Sequence, residues 1–347
     1  MKEINKKLID AIKQKAELIC PDALDLLAIY GSAATGDEHE KSDLDLLILI
    51  NGDAGWQLAD CFILDDVKIG YDIYCTTWEG LEYDAECNHA KLAKLMDSKV
   101  VFCRDETVQQ RLDAAKEKAG LILGSDLRFE KAEKLLQTAK QEYADSCFTD
   151  DLAEVRVYAG DAILNLLDAL MLYHGRYFHR GTKRTFEEMS ELALPFDLQG
   201  MVLSVIKGDT TEEIRLELKK LFKSITQYMN QPKEKEKPSP DNLRGSYEEM
   251  FSNWKNKMPE AAERKDIFSS FMNLLSLQLM IQDIDGDVDV EKLRFMRLFD
   301  PEDPARNARL FDNVLAEYHK EYDKLGMTER RFENVDDFVE KYLGAAH

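Results

Sequence analysis

The sequence predicts an α+β fold, with a small mixed sheet flanked by helices over about residues 1–105 and an all-helical remainder over about 106–347. Three observations lead there. Short aliphatic runs closed by glycine or asparagine crowd into the first hundred residues. The texture then changes to long stretches of helical periodicity. The chain's 347 residues, 44% of them hydrophobic, exceed the roughly 100–250 residues at which single cores stop growing, so two domains are expected.

The elements follow in order. Ile4, Leu8, Ile9, Ile12 and Leu18 recur near a 3.6-residue period, which predicts an amphipathic first helix ending before Pro21. Leu26 to Tyr30 and Leu44 to Ile50 are continuous apolar runs that read as buried strands, the second closed by Asn51-Gly52. Val67 to Tyr74 alternates and reads as a third strand, and Val100 to Cys103 as a fourth, after a helical stretch around 80–97. Beyond residue 106, Val155 to Tyr173, Ile214 to Met229 and Ile267 to Ile281 read as helices. Gln231 to Asn242 holds three prolines and a charge run without apolar anchors, so it is expected to be an exposed loop within the helical part.

Charge narrows the function. A formal net charge of −21 disfavours nucleic acid and anionic membranes, since phosphate contacts need clustered Lys and Arg. No apolar run approaches the roughly 18 residues that span a bilayer, and the charged N-terminus lacks a signal-peptide core, so a cytoplasmic protein is expected. Six cysteines without ligand spacing signal neither zinc nor a redox motif and are expected to be reduced packing residues.

The chemistry concentrates between Tyr30 and Ile50, YGSAATGDEHEKSDLDLLILI. Asp43 and Asp45 are two apart at the start of a strand, so both carboxylates fall on one face. Two like charges so close are unfavourable unless a hard divalent cation with oxygen ligands sits between them. Asp72, between Tyr71 and Ile73 on its own strand, completes a three-acid cluster if that strand lies beside the first. Gly31-Ser32, followed by small residues to Gly36, lets the backbone approach a ligand and present N–H groups and a hydroxyl to phosphate oxygens.

The ordered set Gly31-Ser32-x-Ala34-x-Gly36, Ser42-Asp43-x-Asp45 and the later strand acid Asp72 resembles the nucleotidyltransferase superfamily that includes DNA polymerase β. Its flavour is most similar to the bacterial antibiotic (aminoglycoside) nucleotidyltransferases, over roughly residues 26–75. The resemblance implies that Gly31 and Ser32 hold the β- and γ-phosphates of a nucleoside triphosphate, expected to be ATP. It implies that Asp43 and Asp45 bind two Mg2+ ions and Asp72 the catalytic one. It further implies transfer of a nucleoside monophosphate to a hydroxyl of a small acceptor with release of pyrophosphate, and a homodimer as in kanamycin-type relatives. An acidic lining would suit an aminoglycoside, and with it antibiotic resistance. Ala33 and Thr35 depart from the family, standing where many relatives carry arginine or another polar residue.

Two further groups of residues matter. Asp72, Glu154 and Asp161 are the candidates for general base, the last two because they open the most apolar helix. His174 to Arg184 gathers basic residues in an acidic chain, and Arg180 and Lys183 are expected to reach the triphosphate. The competing readings are a nucleotidyltransferase-like antitoxin, a nucleotide-sensing module and an enzyme that nucleotidylates proteins. The fused helical part, without an Arg-x4–6-His ribonuclease signature, weighs against the antitoxin, and retention of all three acids weighs against the sensor.

Overall fold

The computed structural model describes residues 2–36, 42, 44–230, 243–284 and 293–344. The chain divides into two compact units, Met1–Gln231 and Pro232–His347.

The first unit is built on a four-stranded sheet in the order β5-β2-β1-β6. Its strands are β1 (Leu24–Ile29), β2 (Leu46–Ile50), β5 (Cys75–Thr77) and β6 (Lys99–Cys103). β1 runs antiparallel to both β2 and β6, whereas β2 and β5 are parallel. All six residues of β1 are buried, which fits a central strand with an unbroken apolar run. A separate hairpin pairs β3 (Asp60–Leu64) with β4 (Ile69–Ile73). The expected strands at 26–30, 44–50, 67–74 and 100–103 are therefore all present. The third is shorter than expected and is followed, after Tyr74, by β5.

Each sheet face has its own cover. Helix α1 (Glu3–Ile19) buries Ile9, Ile12 and Ala16 against Leu27, Ile29, Ile48 and Ile50. On the other face Leu26, Ala28, Leu47 and Leu49 share a core with α3 (Trp78–Ala85), α5 (Glu106–Gly124), α6 (Leu127–Ser146) and α7 (Leu152–Tyr173). The same core takes in α9 (Leu198–Ile206) and α10 (Thr211–Met229). Two short helices, α2 (Gly31–Thr35) and α4 (Ala93–Met96), and a third, α8 (Thr185–Ser190), lie between these. Helix starts are fixed by capping acids: Asp105 accepts from Val108 N at 2.9 Å, and Asp151 from Ala153 N and Glu154 N at 2.8 and 3.0 Å.

The change of texture expected at about 106 is the passage from β6 into α5. The helices from α5 to α10 nevertheless share the core of the sheet, so the first compact unit continues to residue 231. The expected loop at 231–242 lies outside the described residues.

The second unit is helical: α11 (Ser246–Trp254), α12 (Lys257–Glu263), α13 (Ile267–Asp283), α14 (Pro304–Lys324) and α15 (Val335–Gly344). Met250, Leu274, Leu277, Ile281, Phe311 and Tyr318 form its core. Cys20, Cys75 and Cys87 are buried packing residues, as expected, but Cys61 and Cys147 are exposed. Among the described residues no helix is long and apolar enough to cross a membrane.

Candidate functional site

The site lies in the first unit, where β1 gives way to α2. Tyr30 N donates to Asp45 O at 3.1 Å, continuing the β1–β2 ladder past its last strand pair, Ile29–Leu46. The chain then turns into a single helical turn, with Gly31 at φ +60° and Gly36 closing it at φ +83°. Gly31 is required twice over: its φ is one that L-residues rarely adopt, and a β-carbon there would lie 2.1 Å from Asp45 Oδ2. Asp45 and the glycine turn are thus packed directly on each other, in the order the sequence motif demands.

Asp72 sits on β4, exposed, opposite Cys61 in the hairpin, and its Oδ1 accepts from the Cys61 thiol at 3.1 Å. That contact, together with burial and the Asp72 and Asp60 charges, raises the pKa of the Cys61 thiol. The β4 strand is not itself paired with β2, but β5, which follows it, is. The parallel ladder begins at Ile48–Cys75, and Asp45 and Asp72 each lie three residues ahead of that pair. Side-chain alternation agrees. Ile69, Tyr71, Ile73 and Cys75 belong to the α1-side core together with Ile48 and Ile50, so Asp72, between Tyr71 and Ile73, points away from that core, as Leu47 and Leu49 do on β2. Asp45 shares that parity. Asp43 lies outside the described residues.

A cavity of about 630 Å³ opens beside this point, bordered by Tyr30, Gly31 and Asp45 from the sheet end. Its other walls come from the segment 89–94, from α7, from residues 178–186 and from α9. Arg180 borders it, and its Nη1 donates to Thr35 Oγ1 at 2.7 Å. The guanidinium is therefore held against α2. Glu188 accepts from the backbone N–H groups of His179 and Arg180, each at 2.8 Å, and fixes the loop that carries them. Lys183, by contrast, is exposed in a 3₁₀ turn and does not border the cavity. Ser32 is half-buried in α2.

Several cations at the cavity were not singled out from sequence. Lys91, Lys94 and His89 border it, and Lys94 and His89 are both tied to the buried Asp84, at 3.0 and 2.9 Å. Lys99 donates through Nζ to Ala34 O, adding a second cation at α2. His179 meets Asp97 at 2.8 Å, and Tyr177 donates its hydroxyl to the same carboxylate at 2.8 Å. Burial and this aspartate push the Tyr177 phenol well up.

Of the helix acids, Glu154 and Asp161 are exposed, and neither borders the cavity. The acid of α7 that does is Asp168, only 5% exposed, with no hydrogen-bond partner at Oδ1. Burial raises its pKa, opposed by the charges of Lys91 and His89 and by the Ala90 backbone N–H. Its sequence signal is an acid inside an otherwise apolar run, LLDALML, whose burial has to be compensated or used.

Carboxylate oxygens are the donor type that magnesium takes, so Asp45 and Asp72 suit such an ion chemically. Among the described residues, however, no group of three or more His, Cys, Asp or Glu stands arranged to hold a metal. Asp43, the remaining acid of the motif, lies outside those residues.

Compared with known proteins, the chain matches no curated protein. Among solved structures it is similar to a nucleotidyltransferase-like protein from Exiguobacterium sibiricum 255-15, with 10% identity and a TM-score of 0.29, over 65% of this chain and 77% of that one. Residues 6–118, which span the sheet, the glycine turn and the three acids, match the family model of the nucleotidyltransferase domain.

Proposed function

We propose that this chain transfers a nucleoside monophosphate from a nucleoside triphosphate, with ATP as the donor, to a hydroxyl of a small acceptor. The observation that carries this reading is the packing of Gly31 on Asp45 at the mouth of a cavity, inside the stretch that matches the nucleotidyltransferase domain.

Asp43, Asp45 and Asp72 would hold two magnesium ions. When bound, these supply charge neutralisation on the departing pyrophosphate and a lowered pKa for the acceptor hydroxyl. The residues of the chain do the rest by position. The backbone N–H groups of Gly31 and Ser32 face the phosphate oxygens, and the Arg180 guanidinium, anchored on Thr35, supplies a planar pair of donors beside them. The acceptor oxygen bonds to the α-phosphorus while the bond from phosphorus to the bridging oxygen breaks, and pyrophosphate leaves with that electron pair. Asp72 receives the hydroxyl proton. It is preferred for this role because it lies within the stretch that matches the nucleotidyltransferase domain, whereas Glu154 and Asp161 lie outside it; none of the three borders the cavity. Lys183 is left with a solvent-side role at most.

The test is pyrophosphate release with each common nucleoside triphosphate and magnesium, across aminoglycosides, lincosamides and other polyols. We expect acceptor-dependent release that stops on chelation of the metal. Asp45→Asn should lower it by about 10³-fold, corresponding to several kcal/mol of lost transition-state stabilisation. Triphosphate binding without release under every condition would instead favour the nucleotide-sensing reading.

A further inference from the structure

The walls of the cavity beside Asp45 differ in chemistry. Gly31, Asp45 and Arg180 border it with groups suited to phosphate and metal. Three other parts of the chain, α7, residues 178–186 and α9, border it with apolar side chains: Leu164 and Leu167, Phe178 and Phe186, Val202 and Ile206. Leu167, Phe178 and Val202 are buried and belong to the core, whereas Leu164 and Ile206 are 46% and 60% exposed. Single exposed hydrophobic residues are ordinary on a protein surface. Here two of them converge on one concavity that the core itself continues, which is the pattern of a ligand wall.

The fixed charges around this wall are already matched. Lys94 and His89 both meet the buried Asp84, at 3.0 and 2.9 Å. Asp168 is offset by the charges of Lys91 and His89 and by the Ala90 backbone N–H. Among the described residues that border the cavity, the only other carboxylate is Asp45, which belongs to the phosphate and metal side. A ligand ammonium would therefore leave its hydration for a wall of Leu, Phe, Val and Ile without a counter-charge, and each further ammonium would repeat that cost next to Lys91, Lys94 and Arg180. An apolar body gains there in proportion to the area it hides from water. At about 630 Å³ the cavity is of a size that takes one drug-sized molecule.

We propose that the acceptor is an uncharged amphipathic alcohol, its aliphatic or aromatic body lying against α7, α9 and residues 178–186 and its hydroxyl directed to Asp45. The inference rests on the nucleotidyl-transfer reading of this site, and it departs from the polycationic aminoglycoside that the family resemblance suggests. Leu164 and Ile206 act here as specificity residues.

The experiment measures binding, independently of catalysis. Primary alcohols with phenylbutyl, cyclohexylbutyl and naphthylethyl bodies are titrated into the full chain with magnesium and a saturating non-hydrolysable triphosphate, beside sorbitol as an uncharged polyol and kanamycin as a polycation. We expect affinity to rise with the size of the apolar body, and the naphthyl alcohol to bind at least about tenfold more tightly than sorbitol or kanamycin. Leu164→Asp/Ile206→Asp should remove that preference, while Val157→Asp, on the same helix, 63% exposed and away from the cavity, should leave it intact.

Thermal unfolding midpoints show whether the variants fold, and the ranking of the probes on the native chain needs no variant. Equal or tighter binding of kanamycin or sorbitol, no binding of any of the alcohols, or equal losses in the double variant and in Val157→Asp overturns the proposal. So does competition between the alcohols and the triphosphate, which would make the apolar wall the seat of the nucleobase. The nucleotidyl-transfer reading is judged separately by pyrophosphate release: release with polyols or aminoglycosides and none with apolar alcohols sinks the present inference and leaves that reading standing, whereas absence of release with every acceptor sinks the reading itself.

Discussion

Two aspartates of the first unit are buried to the same degree, at 5% exposure, and are treated in opposite ways. Asp25, on the central strand, is saturated. Its Oδ2 accepts from Trp78 Nε1 at 2.6 Å, its Oδ1 accepts from Asn51 Nδ2 at 2.8 Å, and Arg104 Nη1 lies 3.0 Å from Oδ1. Asp168, on α7, has one oxygen without any partner and borders a cavity. Since burial alone costs both of them, the difference lies in where the compensation comes from. For Asp25 it comes from direct hydrogen bonds and an ion pair, and for Asp168 from the Ala90 backbone N–H and the nearby charges of Lys91 and His89, which leave one oxygen unbonded.

The comparison can be broken most directly at the saturated acid. Asp25→Ala leaves the buried Trp78 N–H without its acceptor and Arg104 with only the carbonyls of Asp22 and Leu24, and should cost about 3–5 kcal/mol of stability, the range for breaking a buried ion pair, measured by denaturant unfolding. A loss below about 1 kcal/mol would mean that Asp25 is no more structural than a surface pair.

Next in size is the contact that joins fold to chemistry. Gly31→Ala forces an L-residue to φ +60°, a strain of about 1–2 kcal/mol, and drives a methyl group into Asp45. Turnover should fall more than stability does, because the displaced group is Asp45. A variant with native turnover would show that the glycine turn is not coupled to that acid.

The smallest effect carries the sharpest sign. Burial raises the Asp168 pKa above its unfolded value, so the native state binds the proton more tightly and stability falls as pH rises above the ordinary carboxylate range. Asp168→Asn should therefore unfold at a higher temperature than the native chain at pH 7.5. The gap should narrow as pH is lowered toward 4.5. A destabilised Asn variant at pH 7.5 would place Asp168 with Asp25, among residues that hold the fold.

Much of this was legible in the residues. The strands at 24–29 and 46–50 announce themselves because central strands are apolar on both faces, and the glycine turn and Asp45 stand at the spacing their direct contact requires. Strands β3 and β5 were not legible. The first is an exposed hairpin edge without apolar alternation, and the second has three residues, too few to show a period. The same break at Tyr74 separates Asp72 from the strand that pairs with β2, a detail of pairing that one chain segment cannot reveal on its own. Asp168 was hidden by its neighbours, since periodicity reads its run as core and is silent about which core position borders a cavity. The first-unit boundary was hidden for a related reason: the helices after residue 106 look independent in sequence, and only their shared core with Leu47 and Leu49 ties them to the sheet.

That shared core also orders events as the polypeptide leaves the ribosome. The central strand β1 is made early, yet its second neighbour β6 ends only at Cys103, and the cavity wall is not complete until Val202 and Ile206 of α9 have emerged. A nascent chain that has just passed residue 118 has every acid of the motif but not the cavity walls that come from α7, residues 178–186 and α9. Asp72, the last of the three acids, therefore precedes Ile206 by 134 residues, several seconds or more at typical elongation rates of about 5–20 residues per second, and until α7 is complete at Tyr173 the apolar face of Leu47 and Leu49 lacks that cover.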